Sequence, residues 1–319
     1  MLKRWFITMS SALVCLTAQA AYPERPIQIV VPYSAGGIAD IMARRIANEL
    51  TTTLKTSVVV QNKGGGSAII GTQAVAKAAP DGYTILFTPN TPLSINPLLR
   101  KNLPYNASKD LEILSILAES PIVVVARPQL GLKSLRDMAA LARTKKGGLN
   151  YSAVSAPGPL TLPMNKLQNE LGFDMTPVPY QGAGEAMNAV LAGNVDVSIN
   201  ALGTALPYIK SGKVTALAVG TDERLKDMPG VETIGEIVPG FKTSMWYSLS
   251  VPAGVPQNVR DTLQKAFEGL RQNQSIREAF ARDHLVIPGP RTSAELQKFL
   301  ADDLQRWKKV IDDNGIKPN

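Results

Sequence analysis

The stretch that most limits how this chain can fold is Val30-Val31-Pro32-Tyr33-Ser34-Ala35-Gly36-Gly37-Ile38-Ala39-Asp40. An apolar run from Ile27 to Val31 stops at a proline, and a loop of small residues follows. Ile38, Ile41, Met42, Ile46, Leu50 and Leu54 then recur at spacings of three and four. That order reads as strand, tight loop and helix start. Gly36 and Gly37 lack a Cβ, so the backbone can bend sharply and a ligand can approach it closely. The first amides of a helix have no partner within it, and the aligned peptide dipoles make that end positive. The loop is either an ordinary strand-to-helix turn or a seat for an anion, most simply a carboxylate.

A second stretch favours the anion. Val178-Pro179-Tyr180-Gln181-Gly182-Ala183-Gly184-Glu185 repeats the design. It ends a strand-like run, Met175 to Tyr180, and opens a helical pattern at Met187, Val190 and Leu191. The two copies lie well over a hundred residues apart, as expected if each sits in a lobe of its own. Two positive helix starts facing one cleft grip an anion from both sides.

The 319 residues suffice for one large or two medium domains. Lys3 and Arg4, an apolar run from Trp5 to Leu16 and Ala18-Gln19-Ala20 read as a secretory signal peptide cut after Ala20. The run is short for a bilayer span and is broken by Thr8, Ser10 and Ser11. The expected mature chain is exported. Cys15 is the sole cysteine and lies inside this signal, with Ala12 where a lipoprotein signal has leucine. The expected mature chain therefore has neither disulfide nor cysteine metal ligand, and it stands on its core alone. Its charge is +6, from 32 basic and 26 acidic residues. Such a field raises the local concentration of small anions. The basic residues are scattered, Lys145-Lys146 and Lys308-Lys309 are only pairs, and no aromatic ladder accompanies them, so nucleic acid is not an expected partner.

Down the chain, strands are expected at Ser57–Gln61 and Tyr83–Phe87. Gly64-Gly65-Gly66-Ser67 is a turn into a helix through Ala74 and Val75; no Gly-Lys-Ser/Thr follows, so it is not a phosphate loop. Thr88-Pro89-Asn90-Thr91-Pro92 is expected as a polar loop beyond the third strand, where open α/β sheets bind ligands. Thr88, Asn90 and Thr91 are either hydrogen-bonders to a ligand or turn residues. Ile122–Ala126 has the continuous apolar character of a strand buried on both faces. The chain is expected to cross into a second lobe near Pro121 and to return at the strand Met245–Val251. Between them lie a helix at Lys133–Arg143, a strand at Leu149–Val154, a proline-rich loop at Ser155–Pro163 and a helix near Met164–Leu171. A strand at Val195–Ile199 ends at Asn200; a small-residue loop with Gly203 and Thr204, a helix to Lys210 and a strand at Val214–Val219 follow. Gly230–Lys242 is poor in regular pattern. The remainder is helical over Gln257–Arg271, Ser275–Arg282 and Ala294–Asp313, the last with Leu296, Phe299, Leu300, Leu304, Trp307 and Ile311 on one face. Two connections between lobes form a hinge, and closure about a hinge buries a ligand.

Little here argues for catalysis. A single histidine, His284, cannot build a multi-histidine zinc site without cysteines. A serine triad would have to use His284, and no Gly-x-Ser-x-Gly elbow is present. Asp40 and Glu185 stand in first helical turns, where the dipole favours acids. The chain is expected to be no enzyme and to need no cofactor or metal.

The motifs resemble the Bug family, the periplasmic solute-binding proteins of tripartite tricarboxylate transporters. The resemblance runs from Tyr22-Pro23-x-Arg25-Pro26-Ile27 and Val31-Pro32-Tyr33-x-Ala35-Gly36-Gly37-x-x-Asp40 through Ala76-Lys77-Ala78-Ala79-Pro80-Asp81-Gly82-Tyr83-Thr84 and Ile95-Asn96-Pro97. It continues through Val178-Pro179-Tyr180-x-Gly182, Ala205-Leu206-Pro207-Tyr208-Ile209-Lys210-x-Gly212 and Val251-Pro252-Ala253-Gly254 to Trp307-x-x-Val310-Ile311.

The resemblance implies an α/β, two-lobe, type II periplasmic binding protein-like (Venus-flytrap) fold with a central cleft and two inter-lobe crossings. The expected lobes are residues 21–121 with 246–319, and residues 122–245. It also implies capture of a small carboxylate and delivery to membrane transporter subunits by a monomer; a sensor kinase is the other expected kind of partner. The loops Tyr33, Ser34, Ala35, Gly36, Gly37 to Asp40, and Tyr180, Gly182, Ala183 to Gly184, are expected to pinch the carboxylate. Ser155, Thr161, Asn200 and Thr204 complete the expected ligand-binding set with Thr88, Asn90 and Thr91. The chain also departs from the family. Ser155-Ala156-Pro157-Gly158-Pro159-Leu160-Thr161 stands where the family often has a Gly/Ser/Thr-rich loop ending in Thr-His, and Asn200 stands where an acid is common. Pro89 and Pro92 stiffen the loop after the third strand. These departures point away from citrate, toward a ligand with one well-gripped carboxylate and a less polar remainder.

Overall fold

The computed structural model describes residues 22–154, 160–239, 245–313 and 315–318. Its first unit is set by β1 (Ile27–Val31), whose Ile27, Ile29, Val30 and Val31 are all buried. A strand apolar on both faces needs cover on both. Helix α1 (Ile38–Leu54) covers one face with Ile38, Met42, Ile46 and Leu50, one residue per turn, while Ile41 stays exposed. β2 (Val58–Asn62), α2 (Ile69–Ala76) and β3 (Thr84–Pro89) follow, and β2 and β3 flank β1 in parallel. The one-turn helices α3 (Asn96–Leu99) and α4 (Ala107–Asp110) lead to β4 (Leu111–Ser120). Pro121 separates β4 from β5 (Ile122–Ala126), and these two strands belong to different sheets.

The second sheet is built from α5 (Leu135–Thr144), β6 (Leu149–Val154), α6 (Thr161–Leu171), β7 (Met175–Tyr180), α7 (Ala183–Leu191), β8 (Val197–Ala201), α8 (Leu202–Lys210) and β9 (Thr215–Val219) with β5. After the single turn α9 (Ile234–Ile237), β10 (Met245–Pro252) lies wholly in the first sheet, antiparallel to β3 and β4. Helices α10 (Gln257–Gln272), α11 (Gln274–Arg282) and α12 (Ser293–Asp313) close the chain. Strand orders are β2-β1-β3-β10-β4 and β7-β6-β8-β5-β9. In each sheet three parallel strands continue into two joined antiparallel, with the same spatial plan.

Phe87, Leu249, Leu263 and Phe267 share one core with Ile29 and Met42, and Val30, Leu86, Ile116 and Trp246 form another. The long apolar face of α12 is interrupted by a buried acid. Asp303 accepts hydrogen bonds from Ser94 Oγ at 2.6 Å and Trp246 Nε1 at 2.9 Å, and Arg306 pairs with it, so α12 is fastened to β10 by charge as well as packing.

Several boundaries differ from the sequence reading. β3 continues through Thr88 and Pro89, and residues Thr91–Ile95 coil into a π-helical turn, so the expected polar loop is not there. Proline at position 89 is tolerated because it ends the strand. Helix α6 begins at Thr161 rather than Met164, with Pro163 inside its first turn where a missing N–H costs nothing. Helix α8 starts at Leu202, directly after β8, so Gly203 and Thr204 sit in its first turn and not in a loop.

Candidate functional site

The loops after β1 and β7 meet. Gly37 and Gly182 are the N-caps of α1 and α7, both in extended conformation and neither supplying a capping side chain. Gly36 takes φ +86°, a left-handed turn that suits glycine. A Cβ on Gly37 would lie 3.4 Å from Cβ of Ala183, and one on Gly184 would lie 3.1 Å from the carbonyl carbon of Gly36. One on Gly182 would stand 3.1 Å from Ser34 Cβ. The two helix starts therefore face each other with only glycine-sized space between their backbones.

Their amides are partly committed. Gly36 N donates to Asp40 Oδ2 at 3.1 Å, Gln181 N donates to Glu185 Oε2 at 3.0 Å, and Ile38 N donates to Thr204 Oγ1 at 3.3 Å. The amides of Gly37, Ala183 and Gly184 have no acceptor among the described residues. These are orphan donors at positive helix ends, the arrangement that receives an anion. Ser34 Oγ donates to Glu185 Oε1 at 3.0 Å and ties the loops together. Burial alone would raise the pKa of Asp40. Hydrogen bonds from Arg44, the Gly36 amide and Asn62 outweigh it and hold the carboxyl below the usual range, so it is ionised at neutral pH. Arg44 stands 2.9 Å from Asp40 Oδ1.

Beneath the loops lies a narrow cavity, with about 30 Å³ open to the centre of a water-sized sphere. Tyr33, Ser34, Gly37, Thr91, Ala183 and Asn200 of the expected set line it. Gly36, Gly182, Gly184, Asp40 and Thr204 support the lining loops without forming the wall, and Ala35 lies beside Gly184. Thr88 and Asn90 are fully buried and outside the wall. Side chains alternate along a strand. Pro89, paired with Tyr247, faces the cavity, whereas Thr88, paired with Ser248, faces the opposite side. Tyr180 packs half-buried against apolar side chains, and Thr161 opens α6 while its neighbour Leu160 reaches the wall. Ser155 lies outside the described residues. Asn200 is already engaged: its Nδ2 donates to Ala183 O at 3.2 Å and its Oδ1 accepts from Ala201 N at 2.9 Å. It positions the start of α7.

Sequence reasoning missed Met245 and Tyr247, which share the cavity face of β10. Two-residue alternation in Met245-Trp246-Tyr247 carries the signal, since Trp246 packs on the other side with Val30 and Leu86. Tyr247 stacks on Phe87 with ring centroids 5.9 Å apart, and its hydroxyl is buried without a partner among the described residues. Among the described residues, no three His, Cys, Asp or Glu side chains gather as a metal site. His284 bonds Asp227 at 3.1 Å and is not part of the cavity wall.

Residues 42–316 match the family described as the tripartite tricarboxylate transporter family receptor, TctC. The chain belongs to that receptor family. The receptor is 34% identical to protein BugT of Bordetella pertussis over 298 residues, 93% of this chain and 91% of that one. Its fold is similar to that of the periplasmic binding protein BugD (TM-score 0.87, 30% identity, covering 93% of this chain and 99% of that one). It is similar also to R. palustris Rpa4515 solved with adipate (0.88, 27%, 93% and 100%) and to MatC from Rhodopseudomonas palustris with bound malate (0.85, 28%, 91% and 100%). The family and the two-lobe α/β fold expected from the sequence are those found. The receptor is a solute-binding protein and not an enzyme. No helix among its described residues is long and apolar enough to cross a membrane.

Proposed function

We propose that this receptor captures a small carboxylic acid between its lobes and presents it to the membrane subunits of a tripartite tricarboxylate-type transporter. The observation that carries this reading is the meeting of two uncapped helix starts, α1 and α7, at the distance of glycine contact. Each contributes unpartnered backbone N–H groups and a positive dipole end, and together they form a two-sided seat for one anion. The adipate and malate carried by two solved relatives support a carboxylate as that anion. The lobes we assign are residues 21–121 with 246–319, and 122–245. The protein works as a monomer in the periplasm after cleavage behind Ala20, and its binding set is the two glycine loops with Thr91.

A thermal-shift screen of the secreted protein against organic acids tests this. A ligand at a hundred times its Kd stabilises the folded state by about 2.7 kcal/mol. A clear rise in Tm with at least one acid is expected, and a flat response across mono-, di- and tricarboxylates would refute the reading.

A further inference from the structure

We infer that the cleft selects a monoanionic acid: one carboxylate, an otherwise apolar body, and one neutral polar group met by the hydroxyl of Tyr247. The inference rests on the carboxylate reading and narrows it.

The wall below the glycine loops is apolar from both sides. Ile38, Pro89 and Met245 come from the first sheet's unit, and Val154, Leu160 and Ala201 from the second's. No lysine, arginine or histidine is among the described residues lining the cavity. Among the described residues, the charged side chains bonded to the loops are the acids Asp40 and Glu185, and the cation Arg44 is engaged with Asp40. The helix starts can compensate one carboxylate. A second would be buried in a mostly apolar wall with no cation beside it among the described residues, a state that costs far more than burying a methyl group. Asn200 is neutral, and its carboxamide is held by backbone groups through its oxygen and one of its two N–H groups, so at most one N–H is left for a ligand and no charge.

Tyr247 supplies the remaining feature. It is completely buried, its ring is held on Phe87, and its hydroxyl lacks a partner among the described residues. A buried polar group without a partner calls for an explanation, and a ligand group is the simplest in a cavity wall. Burial pushes its ionisation far above neutral pH, with Tyr33 nearby adding to the effect, so the group stays an O–H donor and acceptor. It therefore suits a hydroxyl or carbonyl oxygen and repels no neutral guest.

Matched acids test this by calorimetry on the secreted protein. Hexanoate is compared with adipate and benzoate with terephthalate, each pair sharing a skeleton and differing by one carboxylate. The monoacid of at least one pair is expected to bind tenfold or more tightly than its diacid. Binding of either diacid as tightly as its monoacid, or of malate or citrate alone, overturns the inference while leaving the carboxylate reading intact; no binding by any acid overturns both. Tyr247→Phe is expected to weaken 4-hydroxybenzoate about tenfold while changing benzoate less than threefold. Equal changes for the two remove Tyr247 from the assignment, and an unchanged Tm of the variant without ligand shows that folding is not the cause.

Discussion

A side chain at position 37 has nowhere to go but into the facing loop, because its Cβ would already stand 3.4 Å from Ala183 Cβ and 3.6 Å from Gly184 N. Gly37 is extended, with φ −84°, so the backbone tolerates other residues and folding does not depend on glycine there. Gly37→Asp is expected to keep its Tm within a few degrees and to lose tenfold or more in affinity for any bound carboxylate, by steric block and by repulsion; unchanged calorimetric affinity would contradict the site. Asp196 makes a different case, a buried acid with a structural role. Burial alone raises its pKa, but Lys145 at 2.7 Å, Arg127 at 2.8 Å and the Asn150 amide outweigh it and hold it low. A depressed folded pKa stabilises above the unfolded value of about 3.9 and loses that contribution as pH falls through the folded one. Asp196→Asn is therefore expected to cost about 2 kcal/mol in urea unfolding at pH 7, with the gap to wild type closing as pH falls below about 4. At this scale the glycines were legible because their chemistry is backbone chemistry. Tyr247 was not, because a strand residue declares its face only once its partners are known.

At the scale of elements, strands were read with their true bounds or nearly so, as at Leu149–Val154 and at the continuous Ile and Val run of Ile122–Ala126. Starts of helices were harder, because α8 follows β8 without a loop and α6 carries a proline in its first turn. The repeated Val-Pro-Tyr motif is the instructive case. It looks like a duplication, yet β1 is the second strand of its sheet and β7 is the edge strand of the other. By strand order, the counterpart of β1 is β6. The motif thus marks similar local chemistry at two non-equivalent places, brought together only by the fold. The edge position also explains Pro177 and Pro179 in β7: they are two residues apart, so their missing N–H groups lie on one side, away from β6. Helix α5, away from the cleft, offers a control at this scale. Ser134 caps it by accepting from Asp137 N at 3.1 Å. Ser134→Ala is expected to lower unfolding stability by about 1 kcal/mol while ligand affinity stays unchanged; a changed affinity would mean that this helix couples to the site.

For the whole molecule, the question is what holds the two units face to face. Contacts that do so include the Ser34–Glu185 hydrogen bond, the exposed His284–Asp227 bond at 3.1 Å, the Ile38 amide donating to Thr204, and apolar packing such as that of Leu162 of α6 among Ile95, Leu99, Trp307 and Ile311. The Ser34–Glu185 bond is exposed, so water competes for both partners and it contributes little to closure. Leu162 is fully buried, and burying a leucine is worth about 1.5–3 kcal/mol. Closure therefore depends mainly on the apolar contact and on a close approach of backbones at the glycine loops. Gly184→Val attacks that approach. Its Cβ would lie 3.1 Å from Gly36 C, 3.3 Å from Gly36 O and 3.4 Å from Ala35 O, all backbone atoms that cannot rotate aside. The cheapest relief is for the lobes to stay apart, because neither core contains this contact. The variant is expected to keep the unfolding transition of the wild type and to show a larger radius of gyration in solution scattering. Saturating benzoate is expected to leave that radius unchanged in the variant and to keep the wild type compact. A variant as compact as wild type, with wild-type affinity, would show that the glycine contact does not limit closure.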